Sequence, residues 1–298
     1  MNNSPVIIEV AINGITRKDR NPTVPETPEE IAAEAIACFE EGAAMIHSHA
    51  TSSYRDQTDS KALAKEYQDA YEAVLDSRPD AILYPTLSGG ATIQERWGHH
   101  EHLANAGVIH CGAFDPGSVN LAGLGADGLP KPEGYVYINS PSDIRYVMER
   151  CTELRIGPNM AMYEPGFFRA PLAYHAAGKL PPGTFSKFYF TGDAGYFPDH
   201  KGALFSAPPL PESLEMYLAM LGDAPLVWAV TVITGSLLDT EIAAMAVERG
   251  GHLRVGLEDN PTAESNLSEL RRAVDLCESL GRRPATPTEA KEILGMPR

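Results

Sequence analysis

Two histidines one residue apart, His47-Ser48-His49, follow the apolar run Ala43-Ala44-Met45-Ile46. Side chains on a strand alternate between faces, so His47 and His49 point the same way. Two imidazoles at the end of a short buried strand can grip one divalent metal. The plain alternative is one core histidine with a satisfied hydrogen bond beside one exposed histidine. A second reactive group lies far along the chain at Arg254, Glu258 and Asp259. Two imidazoles and the Glu258 carboxylate would leave open positions on a metal, which is the pattern of a catalytic centre. Zinc suits such a set best, with Mn, Co or Fe as other occupants. Arg254 and Glu258 share strand parity, which places Arg254 one layer below Glu258. A buried arginine needs a carboxylate partner. If that partner is Asp259, the pair keeps Asp259 ionised as a base. Otherwise Asp259 caps the following turn and Arg254 pairs with Glu9.

These residues can meet only if the chain brings its first, second and last strands together. The pattern is a short apolar strand followed by a helix, eight times. Strands are expected at Val6–Ile12, Ala44–His49, Ala81–Leu87, Val108–Ala113, Gly157–Tyr163, Lys187–Thr191, Leu226–Val232 and His252–Leu257. Helices are expected from Thr27 to Glu41, Ser60 to Leu75, Thr92 to Asn105, Ser142 to Leu154, Gly166 to Ala177, Glu212 to Leu221, Thr240 to Glu248 and Ala263 to Leu280. A tail helix, Pro287 to Leu294, closes the chain, and residues 115–133 read as a Gly- and Pro-rich loop. Thr27-Pro28-Glu29-Glu30 is a typical helix start: an N-cap, Pro in the first turn, then acids. Parallel neighbours need crossover helices, so eight such units imply a single (β/α)8 TIM barrel over residues 1–298. An open doubly wound sheet is the runner-up, but Asn13-Gly14-Ile15-Thr16 is not its glycine-rich turn.

In such barrels the site lies at the C-terminal ends of the strands. Asn13, Thr86, Ser88, Gly89, Asp115, Ser118, Asn120, Tyr163 and Glu164 stand there with the histidines and Glu258. Thr86, Ser88, Gly89, Ser118 and Asn120 are the candidate substrate-binding residues, and backbone N–H groups at Ser88-Gly89-Gly90 could face an anion. His99, His100 and His102 read as surface or interface groups, and His110 as a weak inward candidate. The 298 residues carry a net charge of −16, which disfavours nucleic acid and anionic membranes. Cys38, Cys111, Cys151 and Cys277 form no C-x-x-C pair, and no basic-then-apolar leader precedes Val6. A reduced, cytoplasmic protein fits these features. No run approaches the roughly 20 apolar residues of a membrane helix.

Several segments carry a resemblance. They are Asn13 to Pro28, Gly42-Ala43-Ala44 into His47-Ser48-His49, Ser88-Gly89-Gly90-Ala91, the stretch Gly251 to Asn260, and Ala285-Thr286-Pro287. Together they resemble the β-keto acid cleavage enzyme family over nearly the whole chain. That resemblance implies a (β/α)8 barrel with one catalytic Zn2+ per chain, held by His47, His49 and Glu258. It implies Arg254 paired with Asp259, and Asp259 as general base. It implies a small β-keto acid and acetyl-CoA as substrates, acetoacetate and a new acyl-CoA as products, and a homotetramer. Three positions depart from the family pattern. Ile15 or Thr16 stands where a loop glutamate is expected, Thr86 or Ser88 must replace a serine expected near Leu87, and Ala161 stands where an acid is expected. If that acid meets a substrate's amino group in the family, Ala161 implies a substrate whose side group is uncharged or anionic. The rival readings are a metal-dependent hydrolase of the amidohydrolase type and a non-catalytic metal-binding barrel. The first usually has histidines on strands five and six, and here those strands have none.

Overall fold

Helix starts are written into the chain as capping boxes. Thr27, Thr92, Ser140 and Thr286 each accept a hydrogen bond from the backbone three residues on, where an acidic side chain reaches back to the cap. The computed structural model describes residues 4–54, 59–196 and 200–297. Among these are ten strands: β1 (Ile8–Ala11), β2 (Met45–Ser48), β3 (Leu83–Pro85), β4 (Cys111–Phe114), β5 (Val119–Leu121), β6 (Tyr135–Tyr137), β7 (Gly157–Met162), β8 (Phe185–Thr191), β9 (Trp228–Ile233) and β10 (His252–Val255). The α-helices are α1 (Pro28–Glu40), α2 (Ser60–Ser77), α3 (Ile93–Asn105), α4 (Pro141–Leu154), α5 (Arg169–Ala176), α6 (Pro211–Leu221), α7 (Glu241–Glu248), α8 (Asn266–Ser279) and α9 (Pro287–Leu294). The tail helix has the bounds expected for it. The helix expected from Gly166 begins instead as a 3-10 turn, Pro165–Phe168. The one expected from Ser142 is capped by Ser140, with Pro141 in its first turn.

Eight parallel strands form one sheet in the order β3-β2-β1-β10-β9-β8-β7-β4. The order brings β2, β1 and β10 side by side. Ala11 pairs with His47, and Glu9 pairs with both Met45 and Arg254. Two edges remain, β3 and β4, which pack side by side without a ladder. Side chains of α3 close that seam. Trp97 Nε1 donates to the Ala113 carbonyl at 3.1 Å, and the Ala113 N–H donates to His100 Nε2 at 3.2 Å. His99 Nε2 bonds the Thr86 carbonyl at 2.7 Å. His99 and His100 are therefore fully buried, contrary to the surface role expected for them. Glycine at position 112 is required here, because a Cβ would lie 2.8 Å from the Trp97 ring.

The barrel interior is layered. Its lower layer is apolar, with Ile7, Met45, Ile82, Phe185 and Ala229 sealed from below by Ala290 and Leu294 of α9 and by Met296. His110 belongs to this lower end, where its ring meets Lys291 at 3.2 Å, so it is no part of the rim. Above lies a charged layer built on Glu9. The region expected to be a plain loop holds β5, which pairs antiparallel with β6 just beyond it. These three-residue strands are too short to show a period of two. Among the described residues no helix is long and apolar enough to cross a membrane.

Candidate active site

His47 Nε2 and His49 Nε2 lie 3.1 Å apart at the end of β2. Glu258 meets them from the turn after β10. Its Oε2 is 3.3 Å from His47 Nε2, and its Oε1 is 3.4 Å from His49 Nε2. One ligand atom from each of the three side chains lies within 4.8 Å of the other two, close enough for a single divalent metal to draw together. Tautomer chemistry agrees. His47 Nδ1 lies 3.2 Å from the Tyr84 carbonyl, and donating a proton there leaves the Nε2 lone pair for a metal. Burial pushes the His47 pKa well down; the attraction of Glu258 opposes this without reversing it. The imidazole is thus neutral, as a ligand must be. Burial acts to raise the Glu258 pKa, but Arg254 and the two histidines outweigh it and hold the carboxyl well below its usual range. These three side chains fit a divalent metal.

Each of these three side chains is held from behind. The Asn13 side chain accepts from the His49 N–H at 2.8 Å and donates to the His49 carbonyl at 2.9 Å, clamping the residue on both sides. Gly14 lies against Glu258 with φ +57°, and a Cβ there would fall 2.1 Å from Glu258 Cγ. Thr16 Oγ1 donates to the Leu257 carbonyl, and the Leu257 N–H donates to Asn266 Oδ1, which fixes the turn that carries Glu258. Arg254 Nη2 forms an ion pair with Glu258 Oε2 at 3.1 Å.

The two partners considered for Arg254 are both present. Its Nε and Nη2 donate to Asp259 Oδ2 and Oδ1 at 2.9 and 3.2 Å, and its Nη1 donates to Glu9 Oε1 at 2.9 Å. Asp259 Oδ2 also accepts from Thr231 Oγ1 at 2.8 Å. Oδ1 keeps only the longer bond, so it is the oxygen freer to take a proton. Burial raises the Asp259 pKa; Arg254 opposes this and nearby Glu258 adds to it. Below, Glu9 Oε1 also accepts from Tyr84 Oη at 2.6 Å and from Lys187 Nζ at 2.8 Å, while Asn159 donates to Oε2 at 3.2 Å. Lys187 and Asn159 escaped the sequence reading. A lysine inside the otherwise apolar Phe185-Ser186-Lys187-Phe188-Tyr189 was the available signal.

The remaining rim candidates divide differently. The Ser88 hydroxyl bonds the carbonyls of Gly89 and Arg96, both at 3.2 Å, and so ties the β3–α3 turn together. Thr86 and Gly89 flank it, half-buried. Ser118 is exposed and donates to the Asn139 carbonyl, and Asn120 is exposed on β5. No hydrogen bond among the described residues joins any of these five to His47, His49 or Glu258.

The chain is similar to several known proteins. The 3-keto-5-aminohexanoate cleavage enzyme of Fusobacterium nucleatum is 27% identical over 300 residues, 98% of each chain. The 3-oxoadipate:acetyl-CoA acetyltransferase of Cupriavidus necator is 28% identical over 305 residues, covering 98% of this chain and 95% of that one. Among solved structures, ObcA in a binary complex with oxaloacetate superposes with a TM-score of 0.67 at 14% identity, covering 93% of this chain and 68% of that one. That likeness speaks to the barrel alone. A family model for beta-keto acid cleavage enzymes matches residues 5–296. The chain belongs to the β-keto acid cleavage enzyme family.

Proposed function

We propose that this protein converts a β-keto acid and acetyl-CoA into acetoacetate and the corresponding acyl-CoA, with zinc held by His47, His49 and Glu258. The observation that carries the reading is the Arg254–Asp259 pair beside the three-residue cluster of His47, His49 and Glu258. A bound zinc ion would act as a Lewis acid toward the keto and carboxylate oxygens and would stabilise negative charge on them. Asp259 takes the proton from the carbon between the keto and carboxylate groups, through Oδ1. Arg254 holds the carboxylate in register and limits its drift toward neutrality. The carbanion attacks the acetyl thioester carbonyl. The acyl group leaves the keto acid for the CoA sulfur, and the two-carbon CH2–COO− unit leaves joined to the acetyl group. Atoms balance: RCO–CH2–COO− and acetyl-CoA give RCO–CoA and acetoacetate.

The test uses acetyl-CoA labelled with 13C in its acetyl group and a panel of β-keto acids, read by mass spectrometry. The label should appear in acetoacetate and not in the new acyl-CoA, and activity should vanish on chelation and return with zinc. Label released as free acetate would instead mark a hydrolase and overturn the reading. Activity that survives complete chelation would overturn the metal assignment.

A further inference from the structure

Across the barrel mouth from the three ligands stands an acid that the mechanism does not use. Asp115 follows β4 directly. Its Oδ2 accepts from Tyr137 Oη at 2.6 Å, and its backbone carbonyl accepts from Asn139 Nδ2 at 2.8 Å. Tyr137 of β6 and Asn139 just past it thus hold both the side chain and the backbone of the residue. Position 161 lies beside Asp115, since β4 and β7 pair in register there, Phe114 with Met160. An acid therefore reaches the surroundings of position 161 from the neighbouring strand, although Ala161 itself carries none.

Aromatic rings surround this carboxylate. Tyr163 lies 6.4 Å from the Tyr137 ring, 5.0 Å from Tyr189 and 5.8 Å from Phe205, and Tyr196 lies 5.4 Å from Phe205. The faces form one cluster with Ala161.

Charge matching singles Asp115 out. The other acids of the barrel interior each touch a cation: Glu9 touches Lys187 and Arg254, while Glu258 and Asp259 touch Arg254. Among the described residues no cation lies within ion-pair distance of Asp115. Lys187 and Arg254 act on it only from farther away, and both are already committed to those other acids. A half-buried carboxylate without a cation carries a desolvation cost that a ligand's positive charge would offset. Aromatic faces attract the same kind of charge.

We propose that Asp115, with the rings of Tyr137, Tyr163 and Tyr196, binds an ammonium-type cation on the side chain of the β-keto acid. This reverses the expectation drawn from Ala161 alone. It rests on the reaction proposed above, so its test has an arm that needs no turnover. In the first arm, β-keto acids of equal length ending in ammonium or methyl are compared with wild type and Asp115→Asn. Wild type should favour the ammonium substrate in kcat/KM, and that preference should fall at least tenfold in the variant. A wild-type preference for the methyl substrate, or a preference unchanged by the substitution, would overturn the proposal. In the second arm, calorimetry compares binding of 4-aminobutanoate and pentanoate to the zinc-loaded protein. Tighter binding of 4-aminobutanoate that Asp115→Asn abolishes supports the site even if the chemistry proves different. Equal binding of the two, or a difference that survives in the variant, refutes the site even if the transferase reaction is established.

Discussion

Replacing Glu9 by glutamine tests the charged layer beneath the site. Glu9 is completely buried and holds Lys187, Arg254 and Tyr84 on a single oxygen. Burial acts to raise its pKa, but Lys187 and Arg254 outweigh that, and the carboxyl sits at about 2 rather than 4.5. At about 1.4 kcal/mol per pKa unit, that displacement is worth about 3 kcal/mol of stability at neutral pH. Its folded pKa is depressed, so the contribution is present above pH 4.5 and lost as pH falls through about 2. The expected loss for Glu9→Gln is therefore about 3 kcal/mol at pH 7, shrinking to about 1 kcal/mol at pH 3. Urea unfolding of both proteins at the two pH values measures it. Lys187 also supplies a check. Burial lowers its pKa, and Glu9 is the main influence raising it. Without Glu9 the lysine is a buried cation lacking its main partner. Adding Lys187→Met to Glu9→Gln should then recover at least about 1 kcal/mol, a coupling that independent sites do not show. A single-variant loss below about 1 kcal/mol, a pH-independent gap, or additive double-variant energies would refute the argument.

Other outcomes follow from the same geometry. His49→Ala should abolish stoichiometric zinc by metal analysis and lower kcat/KM by more than the ~10–100-fold typical of outer-sphere losses. Asn13→Ala should weaken zinc binding by about 10–100-fold in a chelator competition, because it frees the backbone of His49 while leaving every ligand in place. Gly14→Ala should also impair zinc binding, since its Cβ would strike the Glu258 side chain; full zinc affinity in this variant would contradict the packing described. His99 titrates at about 4 instead of 6.5, chiefly through burial, so its stability contribution is present above pH 6.5 and lost as pH falls through about 4. The loss should total about 3 kcal/mol, and His99→Gln should remove that part of the acid dependence of the melting temperature.

Much of the barrel was legible because strand and helix periods and capping residues are local signals. The His47-Ser48-His49 pair and the Glu258-Asp259 segment were legible because their residue types have few other uses at strand ends. What escaped was set by distant partners. Arg254 has two carboxylate partners because its fork reaches both Glu9 and Asp259, and no spacing rule distinguishes one partner from both. His99 and His100 looked solvent-facing on a polar helix, yet the missing ladder between β3 and β4 draws them inward. Asp115 was visible at a strand end, but its Tyr137 partner comes from a hairpin too short to detect.

That seam has one more consequence. Seven junctions of the barrel wall are backbone ladders among the described residues, and the eighth is held by an indole and two imidazoles. Ladders open only cooperatively, whereas side-chain contacts can separate by rotamer change. Amide hydrogen exchange should therefore be fastest along the facing edges of β3 and β4, at Ala113 above all. The seam lies on the side of the barrel that carries Asp115 at the end of β4, whereas β1, β2 and β10, which carry His47, His49 and Glu258, are joined to one another by ladders.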